Sequence, residues 1–468
     1  MPDTTKKAQT IGELRQSGYK VISVKEEVRK NLIKKIVDNE VLFPGIIGFD
    51  DSVIPQLENA ILAGQDIILL GERGQAKSRL IRQIVTLLDE EIPVITNCEL
   101  NDDPFNPICA QCKEKISSDG DSVEISWLPR KERYSEKLAT PDISVADLIG
   151  EIDPIKVAEG RYLSDEMTIH YGLIPRTNRG IFCINELPDL SERIQVSLFN
   201  LMEERDVQIK GYRIMLPLDM MLISSANPED YTNRGRIITP LKDRYGAQIR
   251  THYPRTLDEE ISIVEQEYTR FDDTAERVTV PHYMKEIIAE ITSLARRSPE
   301  VNQRSGVSLR VSIANYETMI GNAFKRSLRS QEPTSPRISD LSTMIASTTG
   351  KIELESVEDG REIKVVEDLI KKGVTNIFGR YFNAREFDEV LSKFEEDSLE
   401  IEAGSDIPSK LYTDKLALMG NMPEMVKRIE SSEEPAAIAS AIEFVLEGLH
   451  LNRKLNRDQV AGKFLYRG

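Results

Sequence analysis

The spacing of hydrophobic residues along the chain changes near Pro254. Between about residues 43 and 255, short apolar runs alternate with segments of helical spacing. Several runs are apolar at every position, as expected of strands that are buried on both faces of a parallel sheet. The pattern therefore predicts an α/β domain with helices on both faces of its sheet. The five candidate strands are DIILL (66–70), PVITN (93–97), GIFCIN (180–185), DMMLISSAN (219–227) and AQIRTHY (247–253).

Amphipathic helical patterns flank this domain on both sides. On its N-terminal side, apolar residues recur at helical spacing in VKEEVRKNLIKKIVDN. This spacing predicts a helix packed on the main domain rather than a separate binding arm. After Pro254, helical segments follow one another around a Ser- and Pro-rich loop at 329–340. We expect four parts: an N-terminal helical segment at 1–42, the α/β domain at 43–255, a helical domain at 256–356 and a helical C-terminal extension at 357–468.

Composition favours a protein of the reducing cytoplasm. The 468 residues are too many for one ordinary core, and 40% hydrophobic with 30% charged residues is normal for a soluble globular protein. No apolar run approaches a membrane span, and MPDTTKKAQT lacks the apolar core of a secretory signal. Four cysteines are too few for a disulfide framework. A net charge of −17 argues against a general nucleic-acid binder, although a local basic patch is not excluded.

A candidate phosphate-binding loop lies in IILLGERGQAKSRLI (67–81), between a predicted strand and a predicted helix. It fits G-x-x-x-x-G-K-[ST], except that Ala76 replaces the second glycine. Ala76 should be tolerated if its backbone is near right-handed helical values. Successive backbone N–H groups would form a nest for phosphates, with Lys77 on the β- and γ-phosphates and Ser78 on Mg²⁺. The candidate binding residues are Gly71, Glu72, Arg73, Gly74, Gln75, Ala76, Lys77, Ser78 and Arg79.

Hydrolysis also requires polar groups at the ends of neighbouring strands. Glu186 follows one such strand and is the candidate that positions the attacking water. Asn185 stands where an aspartate is usual, so we expect weaker Mg²⁺ binding and slower hydrolysis. Asn227 ends the next strand, where its amide could orient water. The alternatives are a chance match in a turn for the loop, and ordinary strand-end polar residues for Glu186 and Asn227.

Taken in order, these segments resemble the AAA+ ATPases, and most closely the clade of the magnesium-chelatase I subunit and the MoxR proteins. In that clade the loop often reads G-x-x-G-x-A-K-[ST], which GERGQAKS fits. ATPDISVADLIGEIDP resembles its helix-2 insertion, and LMEERDVQIKGYRI resembles its β-hairpin before sensor 1. The resemblance covers about residues 43–350. It implies an AAA+ P-loop parallel sheet with strand order 5-1-4-3-2, followed by a helical lid.

The resemblance also implies a role for each candidate residue. Walker A is matched by Gly71, Gly74, Lys77 and Ser78, and Walker B by Asn185 and Glu186. Sensor 1 is matched by Asn227 and sensor 2 by Arg310. The adenine pocket is matched by Ile47 and Gly48. Arg244 matches the arginine finger, which in this family acts on ATP held by the neighbouring subunit. A finger of this kind implies a ring, usually a hexamer. ATP and Mg²⁺ are the implied cofactors.

Three cysteines lie close together in NCELNDDPFNPICAQC. Cys109-x-x-Cys112 could be half of a zinc site, with Cys98 as a third ligand. A fourth ligand is not evident, because Cys183 lies inside a predicted buried strand. A loop with free thiols is therefore the favoured interpretation, and zinc is the alternative.

Several functions are compatible with this resemblance. The first is an ATP-driven remodelling ring that works with a von Willebrand factor A-domain partner in the assembly of a protein complex or metal cofactor. The second is a genuine magnesium-chelatase I subunit, against which stand Asn185 and the C-terminal extension. A nucleic-acid motor is disfavoured by the charge of −17. A small-molecule kinase has no need for Asn227, Arg244 and Arg310 in this order. The sequence does not identify the client.

Overall fold

The computed structural model describes residues 7–153, 155, 166–204, 207–209, 212–214, 216–227, 236–355, 360–460 and 463–468. The chain divides into two compact units, Met1–His252 and Tyr253–Gly468. The predicted boundary between residues 356 and 357 and part of the predicted helix-2 insertion lie outside the described residues. The division into four parts therefore stays a prediction.

A five-stranded parallel sheet forms the centre of the N-terminal unit. Its strands are β1 (Ile67–Leu70), β4 (Tyr134–Leu138), β7 (Gly180–Asn185), β10 (Met220–Ala226) and β11 (Ala247–Arg250). They lie in the order β11-β1-β10-β7-β4, and every neighbouring pair is parallel. Counted along the chain within this sheet, the order is 5-1-4-3-2. The predicted fold class is confirmed.

One predicted strand does not belong to this sheet. The PVITN segment lies in β2 (Glu91–Ile95), which pairs antiparallel with β3 (Ile125–Pro129) in a separate two-stranded sheet. The second strand of the central sheet is instead β4, with the sequence YSEKL. An edge strand is covered less completely than a central one, and the residues of β4 are only half-buried or exposed. It therefore lacks the continuous apolar run by which the other strands were predicted.

Helices and short hairpins surround the sheet. In the described part of this unit, the α-helices are α1 (Ile11–Gln16), α2 (Val24–Val37), α3 (Val53–Leu62), α4 (Lys77–Val85), α5 (Ala110–Asp119), α6 (Val145–Leu148), α7 (Leu173–Arg176), α8 (Glu192–Glu204) and α9 (Thr239–Arg244). Besides β2 with β3, two more antiparallel pairs lie in the described part of this unit, β5 (Gly150–Ile152) with β6 (Ile169–Tyr171) and then β8 (Val207–Ile209) with β9 (Tyr212–Ile214). The second pair is the predicted hairpin that precedes β10.

The two faces of the sheet contribute to two hydrophobic cores, because successive side chains of a strand point to opposite faces. Ile67 and Leu69 pack in one core with residues of α2, α3 and α4. Ile68 and Leu70 pack in the other, with residues of α1 and α8. The amphipathic α2 thus packs on the main domain, as its spacing predicts.

The C-terminal unit is mainly helical and has one hydrophobic core, formed by residues between Val264 and Tyr466. Its helices are α10 (Leu257–Glu267), α11 (Asp272–Ala275), α12 (His282–Ala295), α13 (Arg310–Ser330), α14 (Ile345–Thr348), α15 (Arg361–Tyr381), α16 (Asp388–Glu395), α17 (Ser409–Leu416), α18 (Met422–Ile429) and α19 (Pro435–Leu451). Among the described residues, no helix is long and apolar enough to cross a membrane.

A small antiparallel sheet in the C-terminal unit was not predicted. It consists of β12 (Ile401–Ala403), β13 (Asn456–Val460) and β14 (Lys463–Arg467), in the order β12-β14-β13. The first strand has only three residues, and NRDQV in β13 is largely polar, so neither carries a recognisable strand pattern. The C-terminal part of the chain is mainly helical, as predicted, and contains this small sheet in addition.

Candidate nucleotide-binding site

The candidate phosphate loop joins β1 to α4, so the predicted order of strand, loop and helix is present. Gly74 has a φ of 78°, and Ala76, immediately before the helix, has φ 55° and ψ 15°. Both conformations are left-handed, which costs a non-glycine residue roughly 1–2 kcal/mol. The right-handed backbone that was the condition for tolerating Ala76 is therefore not present. Ala76 therefore occupies a conformation that favours the glycine of the usual motif.

Gly71 occupies a position with no room for a side chain. A Cβ there would lie 1.9 Å from the Thr251 hydroxyl oxygen and 2.3 Å from Gln75 Oε1. The Thr251 hydroxyl donates a hydrogen bond to Gln75 Oε1 (2.7 Å), and the Glu72 N–H donates to the same oxygen (3.1 Å). The buried Gln75 side chain thus fastens the loop to the residue that follows β11. Glycine at position 71 therefore allows these two side chains to approach the loop backbone closely.

Lys77 is the first residue of α4, its side chain extends into the loop, and only 8% of its surface is exposed. Its ammonium donates hydrogen bonds to the carbonyl oxygens of Gly71 and Glu72 and to Asn227 Oδ1, the last at 2.8 Å. Asn227 follows β10, the strand beside β1. The structure therefore brings together two predicted site residues that are 150 positions apart in the sequence.

Asn185 and Glu186 lie at the end of β7, next to β10. The Ser225 hydroxyl donates to Asn185 Oδ1 (3.0 Å) and accepts from the Glu186 N–H (3.4 Å). Glu186 has a left-handed backbone, with φ 54° and ψ 48°. Such conformations are uncommon for residues other than glycine and are concentrated at functional sites. Lys77, Asn227, Asn185 and Glu186 thus lie along one side of the sheet, at the C-terminal ends of the neighbouring strands β1, β10 and β7.

A carboxylate that the sequence interpretation missed lies beside Asn185. Glu136 on β4 accepts a hydrogen bond from the Asn185 amide through Oε1. Its other oxygen accepts from the Tyr134 hydroxyl (2.9 Å) and from the Arg82 guanidinium (3.4 Å). An aspartate at position 185 would place two carboxylates in direct contact, which is unfavourable. Asparagine instead provides a donor, so the charge absent from position 185 is present on the neighbouring strand.

Other predicted site residues lie at the periphery of the loop or away from it. Ser78 is exposed in the first turn of α4, where Arg79 follows it. Ile47 and the left-handed Gly48 lie between the buried Ile46 and Phe49, in the turn that precedes α3.

The two predicted arginines lie in different units. Arg244 ends α9, where it forms an ion pair with Glu203 of α8 and lies 5.5 Å from the centre of the Phe199 ring. These contacts hold it against α8 rather than against the phosphate loop of the same chain. Arg310 is exposed at the start of α13 in the C-terminal unit.

Comparison with known proteins supports the resemblance. No family model matches the chain. The chain is 28% identical over 272 residues to magnesium-chelatase subunit ChlI of Nostoc sp., a match that covers 56% of this chain and 67% of the relative. It is 24% identical over 352 residues to the ChlI subunit of Nephroselmis olivacea, covering 70% of this chain and 94% of the relative. The predicted resemblance to AAA+ ATPases of the magnesium-chelatase I-subunit type is confirmed.

A solved structure of the complex between the BchI and BchD subunits of magnesium chelatase also matches. Its sequence is 18% identical to that of this chain. The match covers 75% of this chain and 97% of the other chain, with a TM-score of 0.32. A score this low adds nothing to the strand order already described.

The AAA+ motifs predicted most of the candidate site residues at the strand ends. They did not predict the neighbouring residues that form hydrogen bonds to these site residues. Thr251, Ser225 and Glu136 each contact a motif residue from a different strand or strand end. Glu136 carried a weak signal, since it is a carboxylate near the end of a parallel strand. Thr251 and Ser225 are ordinary residues of a strand and its end, and only the sheet register places them beside the motifs.

Proposed function

We propose that this AAA+ ATPase forms a ring and couples ATP hydrolysis to the remodelling or assembly of a partner protein or metal cofactor. The observation that supports the proposal best is the 2.8 Å hydrogen bond from Lys77 to Asn227. It joins the phosphate loop to the strand end beside Glu186. A basic group, a water-orienting amide and a carboxylate at one edge of a parallel sheet are the groups that phosphoryl transfer to water requires.

Each residue then has a defined task. The loop N–H groups and the Lys77 ammonium hold the β- and γ-phosphates of ATP. Ser78 and Asn185 would hold Mg²⁺, Asn185 through a bound water, and the ion would supply positive charge to the phosphate oxygens. Glu186 accepts the proton of the water that attacks the γ-phosphorus, and Asn227 orients that water. The bond between the γ-phosphorus and the bridging oxygen breaks, so that ADP and inorganic phosphate are released.

Replacing Glu186 by glutamine tests this assignment. The amide cannot accept the proton, so we expect kcat to fall by about 10²–10⁴-fold while ATP affinity is retained. The measurements are phosphate release and calorimetric ATP binding. Glu192→Gln, at an exposed position six residues further along the chain, is the matched control. Turnover by Glu186→Gln at the wild-type rate would rule out its role as the base.

Glu136 is proposed to supply the negative charge that Asn185 lacks. Because its carboxylate accepts a hydrogen bond from the Asn185 amide, it polarises the group that faces the metal-bound water. We expect Glu136→Gln to raise the Mg²⁺ concentration for half-maximal hydrolysis by about 10-fold. This is the lower end of the roughly 10–100-fold effect of replacing a residue that contacts a metal ligand. Measuring ATPase rate against Mg²⁺ concentration checks this.

An exchange of charge between the two strands sharpens the test. Asn185→Asp alone places two carboxylates together, so it should not improve Mg²⁺ dependence. The double variant Glu136→Gln with Asn185→Asp moves one negative charge to position 185, where it is usual. This variant should restore the wild-type dependence of hydrolysis on Mg²⁺ concentration. The exposed Glu132→Gln is the control for loss of a nearby charge. Equal Mg²⁺ dependence of Glu136→Gln and the wild type would show that Glu136 has no part in the site.

The ring and its partner extend the same proposal. Arg244 is proposed as the finger that completes the site of the neighbouring subunit, and a von Willebrand factor A-domain protein is the proposed partner. The solved BchI–BchD complex contains two different magnesium-chelatase subunits, and a second kind of subunit is proposed for this chain as well. Two measurements test this extension. The first is whether a purified A-domain protein stimulates ATP turnover, and the second is the oligomeric state of the chain, measured by sedimentation.

Metal insertion into a tetrapyrrole is the second candidate function. It is favoured by the relatives, which carry the name magnesium-chelatase subunit ChlI. The test replaces the I subunit by this chain in an assay for Mg²⁺ insertion into protoporphyrin, with the other chelatase subunits present. Insertion would favour the chelatase function. ATP turnover without insertion would favour the general remodelling function.

A further inference from the structure

Three cysteines and one aspartate meet where the segment that follows β2 joins the first turn of α5. The side-chain ligand atoms of Cys98, Asp102, Cys109 and Cys112 all lie within 4.8 Å of one another. Asp102, Cys109 and Cys112 are buried, and Cys98 is half-buried. The expectation that the cysteines lack a fourth partner overlooked Asp102, which lies four residues after Cys98 and is brought back to Cys109 by the turn of the loop.

The separation of the sulfur atoms fits a single metal ion. Zinc–sulfur bonds of about 2.3 Å in a tetrahedron place two sulfur atoms roughly 3.8 Å apart. The Sγ atoms of Cys98 and Cys109 are 4.0 Å apart. A disulfide would require about 2.05 Å, and all three cysteines are free thiols. The geometry is therefore closer to that of shared metal ligands than to that of a bonded pair.

Backbone N–H groups surround the sulfur atoms. Those of Leu100 and Asp102 both donate to Cys98 Sγ at 3.4 Å, and that of Cys112 donates to Cys109 Sγ at 3.3 Å. Donors of this kind stabilise a thiolate, which is the form that binds a metal.

Asp102 has one oxygen that the protein satisfies and one that it does not. Oδ2 accepts hydrogen bonds from the N–H groups of Ile108 (3.1 Å) and Cys109 (3.0 Å). Oδ1 is buried and has no hydrogen-bond donor among the described residues. The side chain of Asp102 is inaccessible to solvent. A buried carboxylate oxygen without a donor is unfavourable unless a cation lies beside it.

We propose that Cys98, Cys109, Cys112 and Asp102 Oδ1 bind one structural zinc ion. Three thiolates favour zinc over the hard Mg²⁺ of the nucleotide site. With four protein ligands the tetrahedron is complete, so no position is left for a substrate, as in structural rather than catalytic zinc sites. Binding releases the thiol protons to solvent and fastens the loop after β2 to the start of α5. The proposal does not depend on the proposed function.

Metal analysis of the full-length chain tests the site. The protein is purified under reducing conditions without chelators, and its zinc is measured by plasma mass spectrometry. We expect one zinc per chain, and loss of most of it in Cys112→Ser. Cys183→Ser is the matched control, because Cys183 is fully buried elsewhere and burial raises its pKa to about 12. This control should retain the metal.

Three outcomes would overturn the zinc assignment. The first is wild-type protein that stays free of zinc after anaerobic reconstitution with zinc sulfate. The second is iron or copper at the site instead of zinc. The third is a Cys98–Cys109 disulfide in protein purified under reducing conditions. Intact-protein mass spectrometry would detect it as a mass lower by two hydrogens. All three are read on the wild-type chain, so they hold even where a cysteine variant does not fold.

Cobalt substitution tests the fourth ligand. We expect Co²⁺ in the wild-type chain to give the visible bands of a tetrahedral ion and a sulfur-to-cobalt charge-transfer band. Asp102→Asn should keep the charge-transfer band, change the visible bands and weaken zinc binding by about 100-fold or more, since loss of an outer-shell partner alone costs 10–100-fold. The exposed Asp119→Asn is the control for a general charge effect. An unchanged spectrum and affinity in Asp102→Asn would exclude Asp102 as a ligand.

Discussion

Replacing Lys77 by alanine is expected to weaken ATP binding by about 100-fold and to abolish measurable hydrolysis. A hydrogen bond to a charged group contributes roughly 1.5–3 kcal/mol, and the ammonium can make more than one to the phosphates. The buried position of Lys77 strengthens this effect, because a charge inside the loop is less screened by water than a surface charge. Calorimetric titration with ATP measures the affinity, and phosphate release measures the rate.

Folding must be separated from binding in this experiment. Lys77→Ala leaves the carbonyl oxygens of Gly71 and Glu72 and Asn227 Oδ1 without the donor that they share. A lost donor costs roughly 1–3 kcal/mol of stability, so the melting temperature should fall. The exposed Lys131→Ala removes a charge without touching the loop and should bind ATP normally. If Lys77→Ala melts at a lower temperature but binds ATP as tightly as the control, the loop is not the phosphate site.

The fold was predictable where the residue pattern is determined by burial on both faces of the sheet. β1, β7 and β10 are apolar almost throughout because helices cover both faces of the sheet, and this produces a clear sequence pattern. β4 is an edge strand whose polar residues carry no such pattern. PVITN has the apolar pattern but pairs outside the central sheet. Periodicity reports burial, whereas strand pairing depends on the path of the whole chain.

The site was predictable to the extent that it consists of local motifs. Lys77 and Glu186 belong to short segments whose spacing alone suggests their chemistry. Ala76 shows the limit of such reasoning, since its left-handed backbone is determined by the loop and not by the residue. Asp102 shows another limit, because two neighbouring acidic residues in a polar loop give no sign of which one is buried against the cysteines.

Replacing Arg244 by alanine is expected to leave ATP binding intact and to lower turnover by about 10³–10⁵-fold, the usual effect of losing an arginine finger. The side chains of Arg244 and its partner Glu203 are 41% and 34% exposed, and surface ion pairs of this kind contribute at most about 1 kcal/mol. In the proposed ring, exchange of Glu203 for a phosphate of the neighbouring subunit would therefore cost Arg244 little. Lys242→Ala, also exposed and on the same helix, is the control.

Mixing two inactive variants determines whether the finger acts between subunits. Lys77→Ala retains Arg244, and Arg244→Ala retains the phosphate loop, so a mixed ring contains interfaces with both. In a one-to-one mixture about a quarter of the interfaces are of this kind, because each interface combines two different surfaces drawn independently. We expect phosphate release to recover to a comparable fraction of the wild-type rate. A mixture as inactive as its components, with mixed rings demonstrated by native mass spectrometry, would place the finger and the nucleotide in the same chain.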